Sequence, residues 1–536
     1  MRARSSIPGR LALAFAVLAA ATLAAVPGAR AAETPRAGGE LTFVVTSEPP
    51  SYDGHRENSY ALLHPVAPHY STLLRFDTAN YPKIVGDLAE SWSVSRDGLT
   101  YTFKLHEGIT FHDGSPLTSA DVKASYERII NPPPGVVSAR KAAYQAIERI
   151  DTPDARTVIF RLKYPQASML ANFASPWNFI YPAKKLKEDP RWPEKNILGS
   201  GPFVFVEHVP GSHWVGKRYP NYFVKGRPYL DGYRALFIRS AAAAVAAVRS
   251  GQALIEFRGF SPSQRDDLVR ALGERIRVQE SPWICQLTVV FNNERPPFND
   301  ARVRRALSLA IDRWRGSEAL SKIAIVKPVG ALMRPGDEMA ATEAELTQLP
   351  GFSRNIEASR AEARRLLKEA GVPEGFRFVF KNRDVQMPYE PVAVFLVDQW
   401  RSIGVNAEHR PLETAQFLGD LRTGNYEVSM DFACDFMDDP DLQLVKYISS
   451  DKSPQNFARY IDRTLDDLYE RQSRAINPAE RRRLVREFER RVLEQAYQVP
   501  TIWWQRIVPH WTKVRGWYIT PSHYVGQDLR DVWLAE

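Results

Sequence analysis

Two cysteines in 536 residues, Cys285 and Cys434, are too few for a disulfide-stapled scaffold or a four-cysteine zinc site. In an oxidising compartment such a couple either pairs or stays buried. Long apolar runs are also missing. No stretch beyond Val26 reaches the roughly 18 consecutive apolar residues of a membrane span. The chain lacks HExxH, GxSxG and GxxxxGK[ST], and with them the signatures of a zinc protease, an α/β-hydrolase and a phosphate-loop ATPase. An excess of one charge is absent too. The 71 Lys and Arg against 62 Asp and Glu give +9. Four of those arginines fall in the first 31 residues, which hold no acid, so the remainder carries +5. The densest basic run, Arg481–Arg483, is interleaved with Glu480, Glu487 and Glu489 in a helical pattern. It reads as a solvated helix face, and no nucleic-acid partner is expected.

What is present begins with a leader. Arg2, Arg4 and Arg10 precede the apolar run Leu11 to Val26, and Ala29-Arg30-Ala31 fits a small-x-small cleavage pattern. Cleavage is expected after Ala31, giving residues 1–31 as signal peptide. No Cys follows that site, so a lipid anchor is not expected, and the location indicated is the periplasm. The length suggests about three domains.

Period-two patterning marks the strands. Glu40–Thr46 is strand-like and runs into the loop Ser47–Gly54. Leu99, Tyr101, Phe103 and Leu105 alternate with Thr100, Thr102 and Lys104, and Val158, Phe160 and Leu162 repeat the pattern. Thr118 with Asp121 forms a capping box for a helix, and Asn131–Gly135 reads as a loop. Later segments are more helical. Ala301–Arg313 gathers Val303, Ala306, Leu307, Ala310 and Ile311 on one face, capped by Asn299 or Asp300. Ser359 and Glu362 suggest a capping box for Ser359–Ala370, which stops at Gly371. Asn477-Pro478 opens a helix striped by Leu484, Phe488, Val492 and Leu493. Strands and helices thus mix without strict βαβ regularity, as expected for an α/β fold with an α+β excursion.

The histidine pairs His64/His69 and His208/His213 lack the Cys or carboxylate partners of a metal site. His112-Asp113-Gly114 reads as a turn rather than a catalytic dyad. One acidic cluster stands out: Asp431, Asp435, Asp438, Asp439 and Asp441, set around Phe432, Phe436 and Met437. Carboxylates beside aromatic rings suit an amine-bearing or polyhydroxylated ligand. The competing reading is a solvated acidic turn with a helix cap at Asp438 or Asp439.

Several segments, in order, resemble the extracellular solute-binding proteins of family 5, the peptide, nickel and opine class of importer receptors. They are Leu88-Ala89-Glu90-Ser91-Trp92, then Asp97-Gly98-Leu99-Thr100-Tyr101-Thr102-Phe103-Lys104-Leu105, and Phe111-His112-Asp113-Gly114 with Pro116-Leu117-Thr118. Gly199-Ser200-Gly201-Pro202-Phe203 and Pro220-Asn221-Tyr222 with Pro228-Tyr229-Leu230-Asp231 continue the match. Phe291-Asn292-Asn293, Pro296-Pro297-Phe298-Asn299-Asp300 and Ala310-Ile311-Asp312 complete it.

The resemblance implies a type II periplasmic binding fold of two lobes joined by a hinge, with an extra domain. Domain I is expected at 32–79, 196–282 and 495–536, domain II at 80–195 and domain III at 283–494. The crossovers near 282 and 495 form the hinge, and the ligand lies between domains I and III. The resemblance also implies a Cys285–Cys434 disulfide holding the acidic loop. Peptide-binding members grip the ligand's amine with an Asp four residues before the loop's Pro. That position here is Phe436, with Asp435 beside it. The expected ligand-binding residues are therefore Asp435 and Phe436, then Asp431, Phe432, Met437 and Asp438, and from domain I Ser47, Glu48 and Tyr52. The implied function is a monomeric, non-catalytic receptor that captures a peptide, peptide-like solute, opine or glycoside and hands it to the permease of an ABC importer. No catalytic residue, cofactor or metal is expected. The alternatives are a secreted hydrolase on a similar scaffold and a binding protein serving chemoreception or chaperoning.

Overall fold

Leu41, Phe43, Val44 and Val45 are all buried, so the strand Glu40–Val45 has apolar neighbours on both faces, as a central strand must. In the computed structural model, which describes residues 33–536, it lies inside a five-stranded sheet. The leader and its expected cleavage site fall outside the described residues. The strand runs parallel to Gly232–Phe237 and Ile255–Glu256; His213–Arg218 and Phe203–Val209 extend the sheet antiparallel. One core, built on Phe43, Trp177, Trp214 and Tyr233, covers it.

A second sheet follows the period-two segments. Ala89–Val94, Thr100–Leu105, Thr157–Leu162 and Ile147–Asp154 pair antiparallel in that spatial order. Tyr101, Phe103 and Leu105 with Val158, Phe160 and Leu162 point into a core around Phe173. The helix Ser119–Ile130 packs here, opened by the expected box: the Thr118 N–H donates to Asp121 at 2.8 Å.

The third sheet has the order Asn406–Leu412, Arg377–Arg383, Val428–Cys434, Ile276–Phe291, Gln498–Trp511. The first three strands are parallel and the last two join antiparallel. The core of this region surrounds Phe291, Phe298, Phe380 and Trp400.

Two long strands connect the first and third regions. Ile276–Phe291 and Gln498–Trp511 pair from Ile276↔Trp511 to Pro282↔Gln505, shift register to Gln286↔Trp503, shift again, and run from Thr288↔Pro500 to Val290↔Gln498. Pro282 has no N–H to donate to the ladder, consistent with a break beside it. On one side of the break the Phe260 and Trp511 N–H groups bond Ile507 and Leu254 carbonyls, tying the strands to the first sheet. On the other side Leu287, Val289, Val499 and Ile502 enter the third core.

Two helix expectations are corrected. The helix expected to start at Ser359 starts three residues earlier, as Ile356–Glu369. Asn355 accepts the Ala358 N–H at 3.1 Å, while Ser359 Oγ bonds back to the Asn355 carbonyl. Asn and Ser are equally good caps, so the choice falls to the outer turn that buries Ile356. The expected single helix over 301–313 is two, Ala301–Leu309 and Arg313–Leu320. Asp300 caps the first and Asp312 the second. The break lets Arg313 turn inward, where its guanidinium donates to the Pro500, Ser308 and Gly351 carbonyls. The helix Pro478–Gln495 opens at Asn477 with its expected stripe buried.

Candidate functional site

A cavity of about 800 Å³ lies between the first and third sheet regions, within the size range of small-ligand sites. The first region contributes Tyr60, Arg258, His523 and Tyr524. The other contributes Arg383, Tyr389, Phe432 and Trp504, with Trp283 beside the register break. Both cysteines line it. A separate pocket beside Tyr70 and Arg75 measures only about 40 Å³, room for a water rather than a solute.

The sequence holds each wall locally. Tyr60 opens the helix Tyr60–Val66 behind the cap Ser59, and its hydroxyl lies 2.9 Å from Thr46 Oγ1. Arg258 follows the strand Ile255–Glu256. The Glu256 carboxylate accepts the Arg258 and Gly259 N–H groups at 3.1 and 2.6 Å, pinning this turn. Gly259 has φ +117°, and a Cβ there would meet the Ile507 carbonyl oxygen at 2.5 Å, so only glycine fits. The Trp283 indole N–H donates to His523 Nδ1 at 3.1 Å. Burial first, then Arg258, His64 and Arg506, hold His523 well below the usual imidazole range, so it is neutral at pH 7. Trp283 meets Trp504 edge-on at 5.5 Å, and the Trp504 Nε1 is buried without a hydrogen-bond partner among the described residues.

The charges are arranged unevenly. The Arg258 guanidinium sits 4.3 Å from the centre of the Tyr60 ring and 5.7 Å from that of Trp283. Its Nε is buried without a hydrogen-bond partner among the described residues. Arg383 donates from Nε to Thr414 Oγ1 at 2.9 Å and lies over the Tyr389 and Phe432 rings. Burial pushes the Tyr389 hydroxyl up to about 12, with Arg383 and, less strongly, Arg258 opposing.

Of the nine expected binding residues, Phe432 is the one that lines this cavity. Asp431 is buried and accepts from Lys446 Nζ at 2.7 Å. Asp438 is held bidentate by Arg334 at 2.8 and 2.9 Å and accepts from the Tyr81 hydroxyl. Met437 is fully buried in the second core, and Phe436 packs against the first and second cores. Glu48 accepts the Gly211 N–H at 2.8 Å and pairs with Arg239 at the cavity edge. The Tyr52 hydroxyl lies 2.8 Å from His208 Nδ1, and Ser47 is half-buried beside Glu48. Asp435 donates its N–H to the Ile284 carbonyl, and its carboxylate has no ion-pair partner among the described residues. Burial pushes that carboxyl up to about 6, against the pull of Lys446 and with a further push from Asp438. Asp435 also acts on the hydroxyl of Tyr524, which lines the cavity.

The residues that wall the cavity, Tyr60, Arg258, Trp283, Arg383, Tyr389, Trp504 and Tyr524, were not read from the sequence. They come from separate strands and loops and form no local motif. The one available signal was Arg258-Gly259 set between Phe257 and Phe260, where a glycine directly after a charged residue marks an unusual backbone turn. Among the described residues no group of three His, Cys, Asp or Glu is placed to hold a metal ion. No helix of the described residues is long and apolar enough to cross a membrane.

Comparison with known proteins supplies the context. A family model described as bacterial extracellular solute-binding proteins, family 5 Middle, matches residues 83–455. The probable di/tripeptide-binding protein 5 of Pseudomonas aeruginosa is 27% identical, over 91% of this chain and 94% of that one. The glutathione-binding protein GsiB of Escherichia coli K12 is also 27% identical, over 82% and 84%. The binding protein AgaA of A. tumefaciens R10, solved with agropinic acid, is 25% identical with a TM-score of 0.76, over 93% and 99%. DppA of Helicobacter pylori, solved with the peptide STSA, shares the fold at 23% identity and a TM-score of 0.76, over 94% and 99%.

Proposed function

Because the chain belongs to the bacterial extracellular solute-binding proteins of family 5, we propose that it captures a small peptide or peptide-like solute by lobe closure and delivers it to the permease of an ABC importer. Family members are binding proteins rather than enzymes. Two relatives are named for binding glutathione and di/tripeptides, AgaA was solved with agropinic acid, and the ligand of this chain belongs to the same range. The protein works as a periplasmic monomer after cleavage at Ala31.

The carrying observation is the cavity itself, walled by two separate cores and lined by seven Phe, Tyr and Trp rings and three guanidinium groups. We place domain I at 32–79, 196–282 and 495–536, domain II at 80–195 and domain III at 283–494. The strands Ile276–Phe291 and Gln498–Trp511 are then the hinge, bending at the register break around Pro282. Closure is a population shift driven by contacts that exist only when both lobes touch the solute. Beside the cavity, directly after the lining Cys434, Asp435 receives the ligand's ammonium, since a half-buried carboxylate without an ion-pair partner among the described residues is stabilised by an incoming cation. Arg383 receives a carboxylate.

The test is a thermal-shift and mass-spectrometric screen of the mature protein against di- and tripeptides, glutathione and opines. A ligand at 100 times its dissociation constant adds about 2.7 kcal/mol of stability. That gain disappears in Asp435→Asn, and the ligand is recovered unchanged. A ligand consumed during incubation, or a full shift surviving in Asp435→Asn, overturns the assignment.

A further inference from the structure

Arg258 has no counter-ion of its own: the carboxylate it acts on, Glu256, also serves Arg506. No carboxylate among the described residues lies within ion-pair distance of it, its Nε has no acceptor, and its two flanking partners are aromatic faces. Ring faces attract a guanidinium but cannot accept its five N–H donors in the plane. The nearby Glu256 is already committed: its oxygens take two backbone N–H groups, and the fully buried Arg506 draws on the same charge. One carboxylate thus serves two guanidiniums. Arg383, across the cavity, is likewise without a carboxylate, and both arginines act on the hydroxyl of Tyr389. Two like charges from opposite lobes thus line one cavity, where an anion between them would relieve their repulsion.

The other charged groups cancel. Arg239 is paired with Glu48, Lys446 with Asp431, and Arg334 with Asp438. His523 is neutral. What is left is the Asp435 carboxylate, next in the chain to the lining Cys434, and, on the cavity wall, Arg383 and the net charge of the Arg258 turn: one anion and two cations.

We infer that Arg258 determines specificity by requiring a second carboxylate, so that the ligand carries one ammonium and two carboxylates and a net charge of −1. This rests on the two-lobe binding reading above and narrows it. A simple zwitterionic dipeptide satisfies Asp435 and Arg383 and leaves Arg258 desolvated without an acceptor. An acidic peptide, a γ-glutamyl peptide or an opine with two carboxylates satisfies all three. Buried guanidinium–carboxylate hydrogen bonds are stronger than neutral ones, and discrimination against a neutral isostere follows.

The experiment measures calorimetric affinities for matched acid and amide probes: Glu-Ala against Gln-Ala, Ala-Glu against Ala-Gln, and glutathione against its glycinamide. The wild-type protein binds the better acid of these pairs at least tenfold tighter than its amide. In Arg258→Gln that ratio falls toward one, and Arg258→Lys keeps part of the preference. Equal binding of acid and amide to the wild type, or a ratio that survives Arg258→Gln, overturns the role of Arg258 and leaves the binding function standing. Silence of every probe on protein with native circular dichroism overturns the peptide-like reading itself.

Discussion

Cys285 and Cys434 stand directly opposite one another in the antiparallel pairing of Ile276–Phe291 with Val428–Cys434, their Cα atoms 4.2 Å apart, and are joined by a disulfide. The pairing is the one implied by the family resemblance. It fixes the end of the strand from which the acidic loop departs, and both residues form part of the cavity wall. With a sequence separation of 149, the chain-entropy account gives the bridge a stabilisation of about 5 kcal/mol. The double variant Cys285→Ala/Cys434→Ala unfolds at lower denaturant concentration, by up to that amount. It also binds ligand more weakly, because Asp435 follows the bridge directly. Unchanged unfolding midpoint and affinity refute both effects.

The second prediction concerns a buried ion pair between the first and second sheet regions. Arg128 donates to both Asp53 oxygens, at 3.2 and 2.5 Å, with both side chains almost fully buried. Asp53→Ala strands the guanidinium and costs about 3–5 kcal/mol. An apolar pair, Asp53→Leu with Arg128→Met, recovers much of that loss. Urea denaturation of the three proteins checks the order.

Asp435 predicts a pH dependence. Its carboxyl is pushed up to about 6, above its ordinary value, chiefly by burial. Protonation is therefore favoured in the folded state. The ligand-free protein gains stability through this group as pH falls from above 6 toward the ordinary carboxylate range, and loses it again as pH rises through 6. Asp337, also raised to about 6 by burial and by Asp438, acts in the same direction. Ligand affinity moves the opposite way. Below pH 6 it falls about tenfold per unit, because the ammonium then meets a neutral acid. In Asp435→Asn the acid-side fall in affinity flattens. A profile identical in both proteins assigns the titration elsewhere.

Gly259 offers a local test of how Arg258 is held. Its positive φ and the closeness of the Ile507 carbonyl leave no space for a methyl group. Gly259→Ala strains the turn by about 1–3 kcal/mol. It also shifts Arg258 relative to Tyr60 and Trp283. Calorimetry is expected to give a loss of affinity for acid probes greater than the loss for their amides. An equal loss for both separates the turn from the charge it carries.

The local elements were legible because they depend on neighbours in the chain. The alternation at Tyr101, Phe103 and Leu105 follows from strand geometry, and the Thr118–Asp121 box follows from the orphan N–H groups of a helix start. Where two solutions were locally equal, as with Asn355 and Ser359, the sequence left the choice open and packing made it. The acidic loop shows the same division. Its aspartates were visible, but their partners were not. Lys446 neutralises Asp431 and Arg334 neutralises Asp438, whereas Asp435 has no ion-pair partner among the described residues.

The sequence by itself determined the family, the mixed α/β character, the period-two strands, most helix starts and the cysteine pairing implied by the resemblance. Tertiary structure alone decided which side chains face the solute. Tyr60, Arg258, Arg383, Tyr389 and Tyr524 lie on segments far apart in the chain. Local patterning is governed by backbone geometry over a few residues, whereas a binding site is defined by which charges and rings remain uncompensated after distant segments have packed together.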